Sequence, residues 1–131
     1  MITWVVSPNE EDAVEYVRAW FIAFCLTVAI EVPIVTWLSR RAEPRLGRRL
    51  GIAVLGNALS HPAVWFVFPL LGLAWGTTTT ISEIWAWLLE AALYRFTLGH
   101  LAWRPALTIS LVANAASFGL GLALWKLGVL F

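Results

Sequence analysis

Apolar residues gather in four stretches, roughly 19–38, 50–75, 81–98 and 106–131. A membrane helix needs about 20 mostly apolar residues, and each stretch approaches or exceeds that length. None alternates with period two, so the pattern predicts helices and not barrel strands. The expected fold is an all-α membrane protein of four transmembrane helices, forming one domain over residues 1–131. Ahead of the first span, residues 8–16 read as a short acidic surface helix, with Pro8 and Asn9 as its start signal. The threonine run 77–80 reads as a tight turn between the second and third spans. Ser82 would then cap the third helix, with Glu83 in its first turn.

Composition strengthens this reading. Apolar residues make up 60% of the chain and charged residues 13%, whereas soluble domains carry about a quarter charged residues. That excludes a soluble enzyme and a disordered chain. The lone Cys25 excludes an intramolecular disulfide and reads as core filler. A net charge of +1 gives no reason to expect a nucleic-acid partner.

The placement of charge sets orientation. Arg40, Arg41, Arg45, Arg48 and Arg49 lie between the first two spans, and Arg95 and Arg104 lie between the last two. The amino-terminal region is acidic, with Glu10, Glu11, Asp12 and Glu15, and the threonine run is uncharged. Positive loops stay cytoplasmic, so both termini are expected outside the cell (inner) membrane. Arg18 and Lys126 then snorkel to the outer interface. The first stretch lacks the basic start of a signal peptide. Arginines 40–49 would attract anionic lipid headgroups, at about 1 kcal/mol each, and His100, in the other cytoplasmic loop beside Arg104, would be solvated or touch headgroups. Trp4, Trp20, Trp37, Trp75, Trp103 and Trp125 suit an interfacial belt, whereas Trp65, Trp85 and Trp87 sit deeper, for packing and lipid contact.

Polar residues inside the spans carry the candidate chemistry, because they are costly in hydrocarbon and face the bundle interior. The first span offers Thr27 and Glu31. The second offers Asn57, Ser60 and His61, the third Glu83, Glu90 and Tyr94, and the fourth Ser110, Asn114, Ser117 and Gly121. Each set falls on one helical face. Glu31, Asn57, Glu90 and Asn114 all lie seven or eight residues from the arginine-bearing ends, which is about 10–12 Å at helical rise. They form one layer, with Ser60, His61 and Ser117 one turn further out.

The layer suggests duplication. Asn57-Ala58-Leu59-Ser60 matches Asn114-Ala115-Ala116-Ser117, and Glu31 and Glu90 precede the two motifs by 26 and 24 residues. The chain reads as two tandem helical hairpins related by a two-fold axis along the membrane normal, as in parallel-repeat transporters. Pro33 and Pro62 sit beside the layer and free the carbonyls of Ala29 and Ala58.

Two carboxyls in one dry layer cannot both stay ionised, and with His61 nearby they would titrate as a coupled set. The predicted function is proton- or cation-coupled binding or transport of a small solute. The site would comprise Glu31, Asn57, Ser60, His61, Glu90, Tyr94, Asn114 and Ser117. Two alternatives stand beside it. One is an intramembrane enzyme using Glu31, Glu90 and His61 as acid/base or metal-ligand groups; the other is an accessory subunit whose polar layer only fixes packing. No cofactor and no metal are expected, since one His and two Glu make a poor zinc site. A homo-oligomer would supply the room for a pathway that four helices lack.

Overall fold

The computed structural model describes residues 10–130. Trp4, Pro8, Asn9 and Phe131, which entered the sequence reading, lie outside the described residues. There are four long helices and, among the described residues, no strand: α1 (Glu10–Leu38), α2 (Leu46–Pro62), α3 (Trp75–Thr97) and α4 (Trp103–Lys126). Three segments are long and apolar enough to cross a membrane: α1, α2 with its extension to Leu71, and α4.

Several expected boundaries move. The acidic segment is no separate surface helix; it is the first turns of α1, which runs unbroken for 29 residues with Pro33 inside it. Acidic side chains at a helix start suit the dipole there, so nothing interrupts the chain between Glu10 and the apolar run. The threonine turn is also corrected. Threonines 77–80 are helical, because α3 already begins at Trp75. Thr80 Oγ1 donates to the Gly76 carbonyl (2.8 Å) and Ser82 Oγ to the Thr78 carbonyl (2.6 Å). Hydroxyls bonded back one turn are hidden from the surroundings, so these residues extend a helix and Ser82 is not its cap. The real turn lies earlier. After Pro62 the helix widens into a π-helical turn (Ala63–Val67), tightens into a 3-10 turn (Phe68–Leu71), and ends at Gly72 with φ +65. That left-handed conformation suits glycine.

The helices form a closed ring in which α1 packs on α2, α2 on α3, α3 on α4, and α4 back on α1. Both arginine-bearing connections lie at one end. Arg48 Nε donates to the Thr97 carbonyl across them (2.9 Å). Gly99, with φ +54, lets the loops touch: a Cβ there would sit 2.1 Å from the Ala42 carbonyl oxygen. Between these loops lies buried Glu43. It accepts hydrogen bonds from Arg45 Nε (2.9 Å) and from the Arg45 backbone N–H (3.1 Å), and it pairs with Arg48 (3.4 Å). The Arg45 hydrogen bond, followed by the two guanidinium charges, holds the Glu43 carboxyl down at about 2.

Burial is inverted relative to a soluble bundle. Phe21, Trp37, Leu59, Ile84, Leu111 and Phe118 face outward, all more than a third exposed, while Glu31, Asn57, Ser60, Ser82, Glu90, Ser110 and Asn114 are buried. A water-soluble monomer rarely shows such continuous apolar surface. Cys25 belongs to this outer surface, which corrects its reading as core filler: no residue of α1 before Glu31 is buried. The apolar core is Val32, Val35, Ala53, Tyr94, Leu98, Leu101, Ala106, Ile109 and Ala113, and it fills the half of the bundle nearest the arginines. Beyond the carboxyl layer the only buried side chains among the described residues are Ser82, Ala86 and Ser60, which bonds Glu90, and residues 63–74 contribute none. The layer therefore divides a packed half from an open one.

Candidate functional site

Glu31 on α1 and Glu90 on α3 are each 1% exposed. Helical periodicity aims both inward: Glu31, Val32 and Val35 share one face, as do Ser82, Ala86, Glu90 and Tyr94. Ser60 Oγ on α2 donates to Glu90 Oε1 (2.6 Å), and Ser117 Oγ on α4 donates to Glu31 Oε1. Asn114 Nδ2 donates to Glu90 Oε2 (2.8 Å) and to the Ser110 carbonyl one turn back (2.9 Å). Asn57 Nδ2 likewise donates one turn back, to the Ala53 carbonyl (3.1 Å), but makes no hydrogen bond to Glu31.

The serine contacts are two-fold: each carboxyl meets the serine of the other hairpin, and exchanging α1 with α3 and α2 with α4 carries Ser117–Glu31 onto Ser60–Glu90. The asparagines break the pattern, because Asn114 bonds Glu90 and Asn57 makes no hydrogen bond to Glu31. Six of the eight residues expected at the site are nonetheless brought together: Glu31, Asn57, Ser60, Glu90, Asn114 and Ser117. Tyr94 joins them loosely. Its ring is fully buried, and its hydroxyl lies 3.5 Å from Glu90 Oε2, a long contact for an O–H donor.

His61 does not join them. Its ring lies 5.5 Å from Phe24, 6.1 Å from Trp65 and 6.5 Å from Trp20, centroid to centroid, and it has no hydrogen bond to either carboxyl. One residue along a helix turns the side chain by about 100°, so while Ser60 faces the ring's interior, His61 faces the aromatic side chains of α1. Its Nδ1 is buried there without a partner.

The two carboxyls are not equivalent in satisfaction. Both oxygens of Glu90 are bonded, whereas Glu31 Oε2 and Asn57 Oδ1 are buried with no partner. A buried acceptor left unpaired costs about 1–3 kcal/mol. A proton or a cation beside Glu31 would relieve the deficit. Ser117 points the same way. Its hydroxyl contacts Glu31 and also the Asn114 backbone carbonyl (3.1 Å), yet a serine carries one proton. Both contacts are hydrogen bonds at once only when Glu31 supplies a proton of its own. Through Ser117 and Asn114 the two carboxyls belong to one connected network.

Two supports of the site escape a reading based on polar stripes. A Cβ at Gly56 would meet Tyr94 Oη at 3.2 Å and Glu90 Cγ at 3.3 Å, so glycine there admits both side chains. Trp87 Nε1 donates to the Leu107 carbonyl and Ser110 Oγ to the Trp87 carbonyl, both at 2.8 Å; this reciprocal pair clamps α3 to α4 beside Glu90. The signal for Gly56 was present as a glycine directly before Asn57. Among the described residues no group of three His, Cys, Asp or Glu could hold a metal ion. The chain matches no family model, no curated protein and no solved structure.

Proposed function

We propose that this chain is an integral membrane protein that binds a proton or small cation at the Glu31–Glu90 pair and couples that binding to the movement of a small solute. The observation that carries the reading is the buried carboxyl pair with its crossed serine contacts, set where the packed half of the bundle meets the open half. A purely architectural layer would satisfy its polar groups, whereas this one leaves Glu31 Oε2 and Asn57 Oδ1 short of a donor. An intramembrane enzyme would want an imidazole at the carboxyls, and His61 packs elsewhere.

The membrane arrangement belongs to the same proposal. All four helices span, α3 included: its 23 residues give about 34 Å at helical rise, and Thr80, Ser82 and Thr97 bond their hydroxyls back one turn. Both termini lie outside. The joined arginine loops lie in the cytoplasm against anionic headgroups, where Arg40 stacks over Trp37 at 4.1 Å. The matching contacts of the two hairpins support a duplicated unit, and copies of the chain would associate through the apolar open half. The carboxyl layer is then reached from outside.

The test is proton flux in liposomes holding the purified protein, driven by an imposed pH gradient. Wild type passes protons; Glu31→Gln and Glu90→Gln, each with normal folded yield, do not. Gln keeps the hydrogen-bonding shape but cannot exchange a proton. Equal flux in wild type and both variants would defeat the proposal.

A further inference from the structure

A cleft of about 420 Å³ runs between α3 and α4, bordered by Glu83, Trp87, Leu111, Asn114, Ala115 and Phe118. Its volume falls in the range of small-molecule sites, about 300–1,000 Å³. Three features define what would fit. The walls are apolar, and Ile84, Leu111 and Phe118 at the rim are 38–49% exposed, so the cleft opens sideways onto the surface that faces lipid. One end carries the half-buried carboxyl of Glu83, which forms no ion pair; the only salt bridges among the described residues belong to Glu43. The inner wall is Asn114, whose amide is bonded to Glu90, so an occupant would lie one hydrogen bond from the carboxyl pair.

We infer that this cleft is the solute site, and that the solute is an amphiphilic organic cation entering from the bilayer. The inference rests on the coupled-transport reading above and names its substrate class. A lipid acyl chain would match the walls but leave Glu83 unpaired at the edge of an apolar site, which is costly. A bare metal ion would match Glu83 but not the walls, and among the described residues no cluster of ligands could hold one. A positive charge on an apolar body satisfies both, and the Trp87 ring beside it adds a surface that attracts cations.

The experiment is equilibrium binding of tritiated tetraphenylphosphonium to the protein in nanodiscs, with empty nanodiscs as background. Tetraphenylborate, the anion of the same shape, serves as competitor. Wild type should bind the cation saturably, and tetraphenylborate should not displace it. Glu83→Gln should weaken binding about tenfold or more, as loss of a partly desolvated charge partner does. Ala115→Phe should block the cleft by filling it. Ala115 is exposed, so this variant folds and carries the test alone if Glu83→Gln does not. Binding no greater than to empty nanodiscs overturns the inference, and so does binding unchanged in both variants or displaced equally by the anion. Proton flux measured on the same purified protein in liposomes separates the two proposals. Flux without cation binding sinks only the substrate assignment. Glu83-dependent binding without flux keeps the cleft as a cation site and sinks the coupling.

Discussion

Ser60 and Ser117 occupy equivalent positions, yet their loss should be unequal. Ser60→Ala strips Glu90 Oε1 of its donor but leaves Asn114 on Oε2 at 2.8 Å. With one oxygen still held, the expected loss is at the low end of the penalty for an unsatisfied buried group, about 1 kcal/mol. Ser117→Ala removes the Oε1 partner of Glu31, whose Oε2 already has none. A carboxyl 1% exposed is then left with no hydrogen-bond donor, and the expected loss is at the upper end of that penalty, about 2–3 kcal/mol. Reversible unfolding in mixed micelles would read both. Adding Glu31→Leu closes a double-mutant cycle, in which the Glu31–Ser117 coupling should reach about 0.6–1.7 kcal/mol, the span found for such bonds within membranes. A Ser60→Ala loss equal to or larger than that of Ser117→Ala would refute the assigned asymmetry. A coupling within about 0.3 kcal/mol of zero, below what neighbouring residues show, would refute the contact itself.

Other outcomes follow from the same geometry. Gly99→Ala forces a φ of +54 on alanine and drives its Cβ into the Ala42 carbonyl; the left-handed backbone alone costs about 1–2 kcal/mol, and the thermal midpoint should fall accordingly. The Glu43 carboxyl is held at about 2 against a usual 4.5. A lowered value means that the charged form is favoured by folding, so its contribution is complete above about 4.5 and disappears as pH falls through about 2. Acid titration of stability should lose that step in Glu43→Gln. His61→Phe should leave proton flux unchanged, because the ring packs among Trp20, Phe24 and Trp65; loss of flux in a well-folded His61→Phe protein would return the imidazole to the site.

Helix number and the common depth of the polar residues were legible because both follow from helical rise and apolar run length. The pairing of Glu90 with Asn114 was legible as well, since both lie within one hairpin, whereas Asn57 bonds back to the Ala53 carbonyl and not to Glu31. The crossed contacts, Ser117 to Glu31 and Ser60 to Glu90, depend on the closing of the ring by α1 and α4, which no local pattern encodes. The threonine run misled because Thr80 and the neighbouring Ser82 bond their hydroxyls back into the helix, while the true stop was written in Pro69 and Gly72. His61 misled because a stripe one residue wide spans about 100°, enough to change its neighbours from carboxyls to aromatic rings. Glu43 was passed over as one acid among arginines; only the meeting of the two loops buries it.

The proton itself is the most direct object to measure. Infrared difference spectra between acid and alkaline pH report the carbonyl stretch of protonated carboxyls in the folded protein. A shared proton at Glu31 and Glu90 predicts a band that titrates as one coupled pair, is altered by either single Gln substitution, and is absent from the double variant. Identical spectra from wild type and the double variant would contradict it.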